Sequence, residues 1–187
     1  MTDTVLERST TTPRDIVEGH VCTLGRFITE KEGWHVVEVA ATWEGTPYAT
    51  VGAQSTKGVK GDCSGTTHKI YVEAGFPYPY KQTATFVSFV DASHRFREIH
   101  PEREPMQAGD VLLWSGHMAI YAPLPEGHPK RNTGVVRRGR NMNNDFYTAF
   151  NQRTGTPYGP YNIATFRGDA YRVFRYYLMP GDAGCTN

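Results

Sequence analysis

Cysteine and histidine have the widest chemical reach of any side chains here, and the chain holds three of the first and seven of the second. Cys63 stands out by its setting. It lies in Gly61-Asp62-Cys63-Ser64-Gly65, where a loop rich in Gly, Ser, Thr and Lys meets a segment with Thr67, Ile70, Tyr71 and Ala74 at i, i+3, i+4 and i+7. Cys63 is therefore expected at a helix N-terminus. A thiol attacks a carbonyl carbon as thiolate, and the unpaired N–H groups and dipole of a helix start favour that anion. The same N–H groups can hold the oxyanion of a tetrahedral intermediate. A lone cysteine is by default a small buried hydrophobe, so a base is needed to overturn that assignment. His117 offers one: it opens a strand straight after Ser115-Gly116, with small Ala119 on its own face leaving room for a neighbour. His20, His35, His68, His94, His100 and His128 read as surface or packing residues.

The elements that must carry these two groups follow from apolar spacing. Residues 34–43 repeat apolar side chains at helical intervals until Gly45 and Pro47, and a second helix runs from Cys63 to a left-handed cap at Gly75. Residues 76–106 form a mixed insert with a short apolar stretch, 86–90, that suits helix or strand. An insert of this length is expected to border the substrate groove. Residues 111–114 and 117–121 make a hairpin across a tight turn, with His117, Ala119 and Tyr121 on one face and Met118 and Ile120 on the other. Strands are expected at 145–150 and 171–178, separated by a loop at 155–161. Residues 1–15 read as a flexible arm and 16–187 as one domain, although 16–28 gives no clear element.

Composition narrows the classes. With 187 residues, 39% hydrophobic, 21% charged and 12% aromatic, the chain suits a single folded domain with an aromatic core. A net charge of +1 gives no field for a polyanion, and the run Arg137-Arg138-Gly139-Arg140 reads as a solvated loop, so no nucleic acid is expected. No apolar run reaches about 18 residues and no signal-peptide pattern opens the chain, so it is expected to be made in the cytoplasm with no membrane association. Cysteine spacing offers no zinc knuckle, and neither metal nor cofactor is expected. In an oxidising compartment Cys22 and Cys185 can pair, leaving Cys63 as a thiol.

The strings Gly45-Thr46-Pro47-Tyr48, Gly61-Asp62-Cys63-Ser64-Gly65, Gln107-Ala108-Gly109-Asp110-Val111-Leu112-Leu113-Trp114 and Gly116-His117-Met118-Ala119-Ile120-Tyr121, in that order, resemble the NlpC-type cell-wall cysteine peptidases. The likeness covers roughly residues 34–121 and continues more weakly through 146–166. It implies a papain-like α+β fold with the nucleophile helix packed on an antiparallel sheet, Cys63 as nucleophile and His117 as base. It also implies Tyr48 beside the nucleophile, with Asp62 and Ser64 at the substrate or oxyanion side. The implied reaction is hydrolysis of amide bonds in peptidoglycan stem peptides, often between D-glutamate and a diamino acid. The chain departs from the family at the third catalytic position, usually a histidine or another polar residue on the strand after the base. Alignment by pattern nominates Thr148, with Asn151 and Asn143 in reserve. A hydrolase made without a signal peptide resembles the antibacterial amidase effectors of type VI secretion, which would imply a dedicated export machine and a cognate immunity protein. A phage-type lytic enzyme is the rival context. Two further functions stay open on the sequence: a papain-like acyltransferase or deamidase, and a non-catalytic module that holds wall fragments.

Overall fold

The structure, a computed structural model, describes residues 23–132, 143–149 and 156–185. The arm 1–15, His20, Cys22, the basic run 137–140 and Asn151 lie outside them. The fold is α+β, with helices packed on an antiparallel sheet. Seven strands order as β1-β7-β3-β4-β5-β6, with β2 also pairing with β7: β1 Arg26–Phe27, β2 Phe96–Ile99, β3 Val111–Trp114, β4 His117–Tyr121, β5 Phe146–Thr148, β6 Gly159–Tyr161 and β7 Arg172–Leu178. No helix among the described residues is long and apolar enough to cross a membrane.

The first helix, α1 (Glu30–Ala41), starts four residues before the apolar pattern does. Thr29 accepts from Glu32 N while the Glu32 carboxylate accepts from Thr29 N, a reciprocal cap that the stripe of apolar residues could not reveal. Its buried face, Val36, Val37 and Ala40, packs on the sheet together with α2 (Cys63–Glu73). The insert 76–106 is structured: it holds α3 (Thr83–Ser93) and β2. The stretch 86–90 is therefore helix, burying Phe86 and Val90 at i and i+4. Strand β2 escaped sequence reading because its four residues, Phe96-Arg97-Glu98-Ile99, set two charged side chains between two apolar ones with no alternation, and it gains its order from pairing with β7.

The hairpin β3–β4 has the expected bounds, and its alternation separates two apolar clusters. Val111, Leu113, Met118 and Ile120 join the helices, while Leu112, Trp114 and Ala119 face Phe146, Val173 and Phe166. Both faces of the sheet are thus covered. The expected strand 145–150 shortens to β5, and the expected loop 155–161 contains β6, which pairs with β5 through backbone bonds that need no side-chain signature. A short helix, α4 (Ile163–Phe166), follows; Asn162 caps it, and Asp145 Oδ1 accepts from Ile163 N at 2.7 Å.

Two contacts fix the hairpin beneath the helices. Gly109 (φ +88°) lies against the backbone of Gly33, where a Cβ on either glycine would overlap the other segment. Below it, Arg175, 4% exposed, grips the fully buried Asp110 through Nε at 2.8 Å and Nη2 at 2.9 Å. Burial raises the Asp110 carboxyl pKa, against the pull of Arg175 and of the Gln107 N–H. Cys63 is a free thiol, whereas Cys185 is disulfide-bonded. Cys22, the partner suggested by the sequence, lies outside the described residues.

Candidate active site

Asp62 sets the start of α2. Its Oδ1 accepts from Gly65 N at 2.8 Å, and its Oδ2 accepts from Val51 N at 2.9 Å and Gly52 N at 2.5 Å. One carboxylate therefore caps the helix and clamps the loop 50–55 against it. The approach is so close that a Cβ on Gly65 would overlap Gly52 O and Ser55 Oγ. Both oxygens of Asp62 are committed as acceptors, and a carboxylate donates nothing to an oxyanion. Asp62 thus holds the helix start and the loop together, and it also lines the cleft at Cys63.

Cys63 is the first residue of α2, 8% exposed, and backbone N–H groups of Met118, Ser64 and Cys63 itself approach its sulfur. The sequence suggested that the helix start would favour thiolate. Burial instead pushes the thiol up to about 11, with the Asp62 charge adding to the rise, and the three N–H groups only partly offset it. At rest the sulfur is protonated.

His117 follows Gly116 (φ +73°) at the head of β4. Its ring lies 4.7 Å from that of Phe166 and 6.0 Å from that of Trp114, centre to centre. Burial, with the nearby positive charge of Arg167, pulls its pKa down to about 4, so the imidazole is neutral at pH 7. Thr148, fully buried on β5, settles the tautomer: its Oγ1 is 3.0 Å from His117 Nε2 and 2.7 Å from Met118 O. A carbonyl oxygen only accepts, so the single hydroxyl proton goes to Met118 O and Thr148 must accept from His117. Nε2 therefore carries the ring proton, and Nδ1 keeps its lone pair for use as a base.

Thr148, nominated from the sequence, is thus hydrogen-bonded to the imidazole. Asn143 does not: its carbonyl oxygen accepts from Asn162 Nδ2, and it lines a separate cavity with Arg131 and Asp145. The sulfur and the imidazole share no hydrogen bond: the ring lies with Trp114 and Phe166 on the sheet face opposite the cluster that holds Cys63, and what links the two is Met118. Its N–H approaches Sγ and its C=O takes the Thr148 proton.

Cys63 opens on a cleft of about 540 Å³ lined by Tyr48, Gly52, Asp62, Ser64, Tyr80, Gln82, Thr83 and Gly116, among others. Tyr48, half-buried, is held there by a parallel bridge to Gly61. Ser64 Oγ lies 3.3 Å from Asp62 Oδ1 and 3.2 Å from Tyr80 Oη. Tyr80, Gln82 and Thr83 come from the insert, which does border the cleft. Tyr80 itself was not singled out, because Pro77-Tyr78-Pro79-Tyr80 has no periodicity to mark it and its place follows from packing over Gly52. Among the described residues no three His, Cys, Asp or Glu gather as a metal set.

No model of a known protein family matches this chain, and no curated protein matches it.

Proposed function

We propose that this chain is a papain-like cysteine amidase of the NlpC type that hydrolyses amide bonds in peptidoglycan stem peptides. The observation that carries the reading is the Met118–Thr148–His117 chain of hydrogen bonds, which leaves Nδ1 unprotonated one residue away from the amide that approaches Cys63 Sγ.

The chemistry starts from a neutral pair. As a substrate carbonyl enters, the sulfur proton passes to Nδ1 and Sγ attacks the carbonyl carbon. Negative charge moves to the carbonyl oxygen, towards the N–H groups at the start of α2. Collapse breaks the C–N bond, and the proton on Nδ1 goes to the departing amine. Water, deprotonated by Nδ1, then hydrolyses the thioester, freeing a carboxylic acid and the thiol. The Thr148 contact keeps the imidazolium oriented throughout. Export by a dedicated secretion machine, action on the cell wall of a rival bacterium, and a cognate immunity protein belong to the same proposal, supported by the sequence resemblance.

The test is mass spectrometry of purified peptidoglycan fragments after incubation with wild type and with Cys63→Ala at neutral pH. Cleavage by the wild type alone, with product masses that place the bond inside the stem, is expected. Fragments left intact by the wild type across several wall chemistries would overturn the hydrolase reading in favour of acyl transfer, deamidation or simple binding.

A further inference from the structure

Tyr80 is the aromatic side chain that the insert lends to the cleft. Its hydroxyl lies over Gly52, where a Cβ would come within 2.6 Å of Oη, and stands 3.2 Å from Ser64 Oγ. Ser64 gives its own proton to Asp62 Oδ1, which only accepts, so Tyr80 is the donor to Ser64. The phenol therefore bridges the loop 50–55 and the residue that follows the nucleophile.

The chain just before Tyr80 is gripped by His68, about one and a half turns along α2 from Cys63. Its Nε2 lies 3.0 Å from Tyr78 O, and a carbonyl only accepts, so Nε2 carries the ring proton. Nδ1 is buried and meets no hydrogen-bond partner among the described residues, so the hydrogen bond of this imidazole goes to the segment that carries Tyr80. The ring also stands edge-on to Tyr78 at 5.2 Å and to Tyr80 at 5.7 Å, centre to centre. Burial lowers the His68 pKa, against the Tyr78 hydrogen bond and with Lys69 adding to the fall, which keeps the ring neutral at pH 7.

Tyr78 has a hold of its own, because its buried ring packs against Phe96 with centres 5.0 Å apart. What His68 adds is the setting of Tyr80, where the chain leaves the aromatic core for the cleft. We infer that Tyr80 is a substrate contact and that His68, which the sequence presents as a surface or packing residue, is the positioning residue that acts through it. The step rests on the amidase reading. It gives the insert a share in substrate binding and leaves the attack to Cys63.

The test is a double-variant cycle on L-alanyl-γ-D-glutamyl-diaminopimelate with His68→Phe, which keeps a flat ring and removes the donor, with Tyr80→Ala, and with both together. Losing the neutral hydrogen bond that sets the contact predicts a rise in KM of about three- to tenfold for His68→Phe, with kcat within about twofold of wild type. Tyr80→Ala is expected to raise KM at least as much. Adding His68→Phe to it should then change KM by less than about twofold, because the contact being positioned is already gone. His68→Gln, which restores an N–H donor at similar reach, should return KM towards wild type. Nuclear Overhauser contacts between the Tyr80 ring and Gly52 read the positioning without substrate, and should weaken in His68→Phe and return in His68→Gln. A purely structural His68 would lower stability in urea, leave KM alone and keep those contacts. That result, an unchanged KM in Tyr80→Ala, or independent effects in the pair would overturn the inference. Calorimetric binding of the same peptide to the cycle built on Cys63→Ala separates this from the hydrolase reading. The same pattern in Kd without turnover by the wild type would sink hydrolysis and keep the contact. Binding that ignores both substitutions would remove the contact whatever the turnover, and no binding at all would overturn it together with the stem-peptide substrate.

Discussion

Replacing Thr148 with valine keeps shape and removes only the hydroxyl, which joins His117 Nε2 at 3.0 Å to Met118 O at 2.7 Å inside a fully buried site. Two consequences follow from that geometry. The Met118 carbonyl loses one donor and Nε2–H loses its acceptor, and a buried polar group left unpaired costs about 1–3 kcal/mol of stability. The tautomer is also released. A neutral hydrogen bond of about 1–1.5 kcal/mol biases the ring roughly tenfold towards Nε2–H. Without it the Nδ1–H form, which blocks the base, gains population. We expect kcat/KM on a stem peptide to fall about ten- to a hundredfold, with KM nearly unchanged because Thr148 does not line the cleft. Thr148→Ser, which restores the hydroxyl, should recover most of the rate. Long-range proton–nitrogen NMR reads the tautomer without any substrate and should find Nε2–H in the wild type and in Thr148→Ser, with Nδ1–H gaining ground in Thr148→Val. Wild-type tautomer and wild-type rate together in Thr148→Val would refute the orienting role.

Three other outcomes follow from the structure. Alkylation of Cys63 by iodoacetamide should be slow at pH 7 and rise about tenfold per pH unit towards pH 10, since burial holds the thiol near 11; a plateau already reached by pH 7 would mean a stabilised thiolate instead. Because His117 is held near 4 when folded and titrates near 6.5 when unfolded, the unfolded chain takes up the proton first as pH falls. Stability is whole above pH 6.5 and declines towards pH 4, by about 2.5 kcal/mol between pH 7 and 4.5, and urea unfolding of His117→Gln should lack that component. Arg175→Met strands the buried Asp110 carboxylate and should cost about 3–5 kcal/mol in urea unfolding, whereas Arg175→Met with Asp110→Leu should recover much of it; a loss below about 1 kcal/mol in the single variant would show the pair to be water-accessible.

The sequence by itself determined the local facts of this protein. Cys63 had to open a helix because Asp62 is a natural N-cap and the residues behind it repeat at helical spacing. His117 had to open a strand because a glycine turn precedes five alternating residues, and Thr148 fell on the next strand of the β4–β5 pair by pattern alone. These features depend on neighbours a few positions away, so a linear chain displays them. Tertiary structure alone decided the rest. The protonation states came from burial by distant segments: Phe166 and Arg167, far along the chain, lie beside the imidazole, and the enclosed sulfur stays a thiol despite its helix start. Strands β2 and β6 exist because β7 and β5 offer them unpaired backbone, not because their own residues demand it. The cleft likewise combines Tyr48, Tyr80 and Gly116 from three separate segments. Desolvation, strand pairing and wall-building are sums over residues remote in sequence, and folding is the step that carries out the sum.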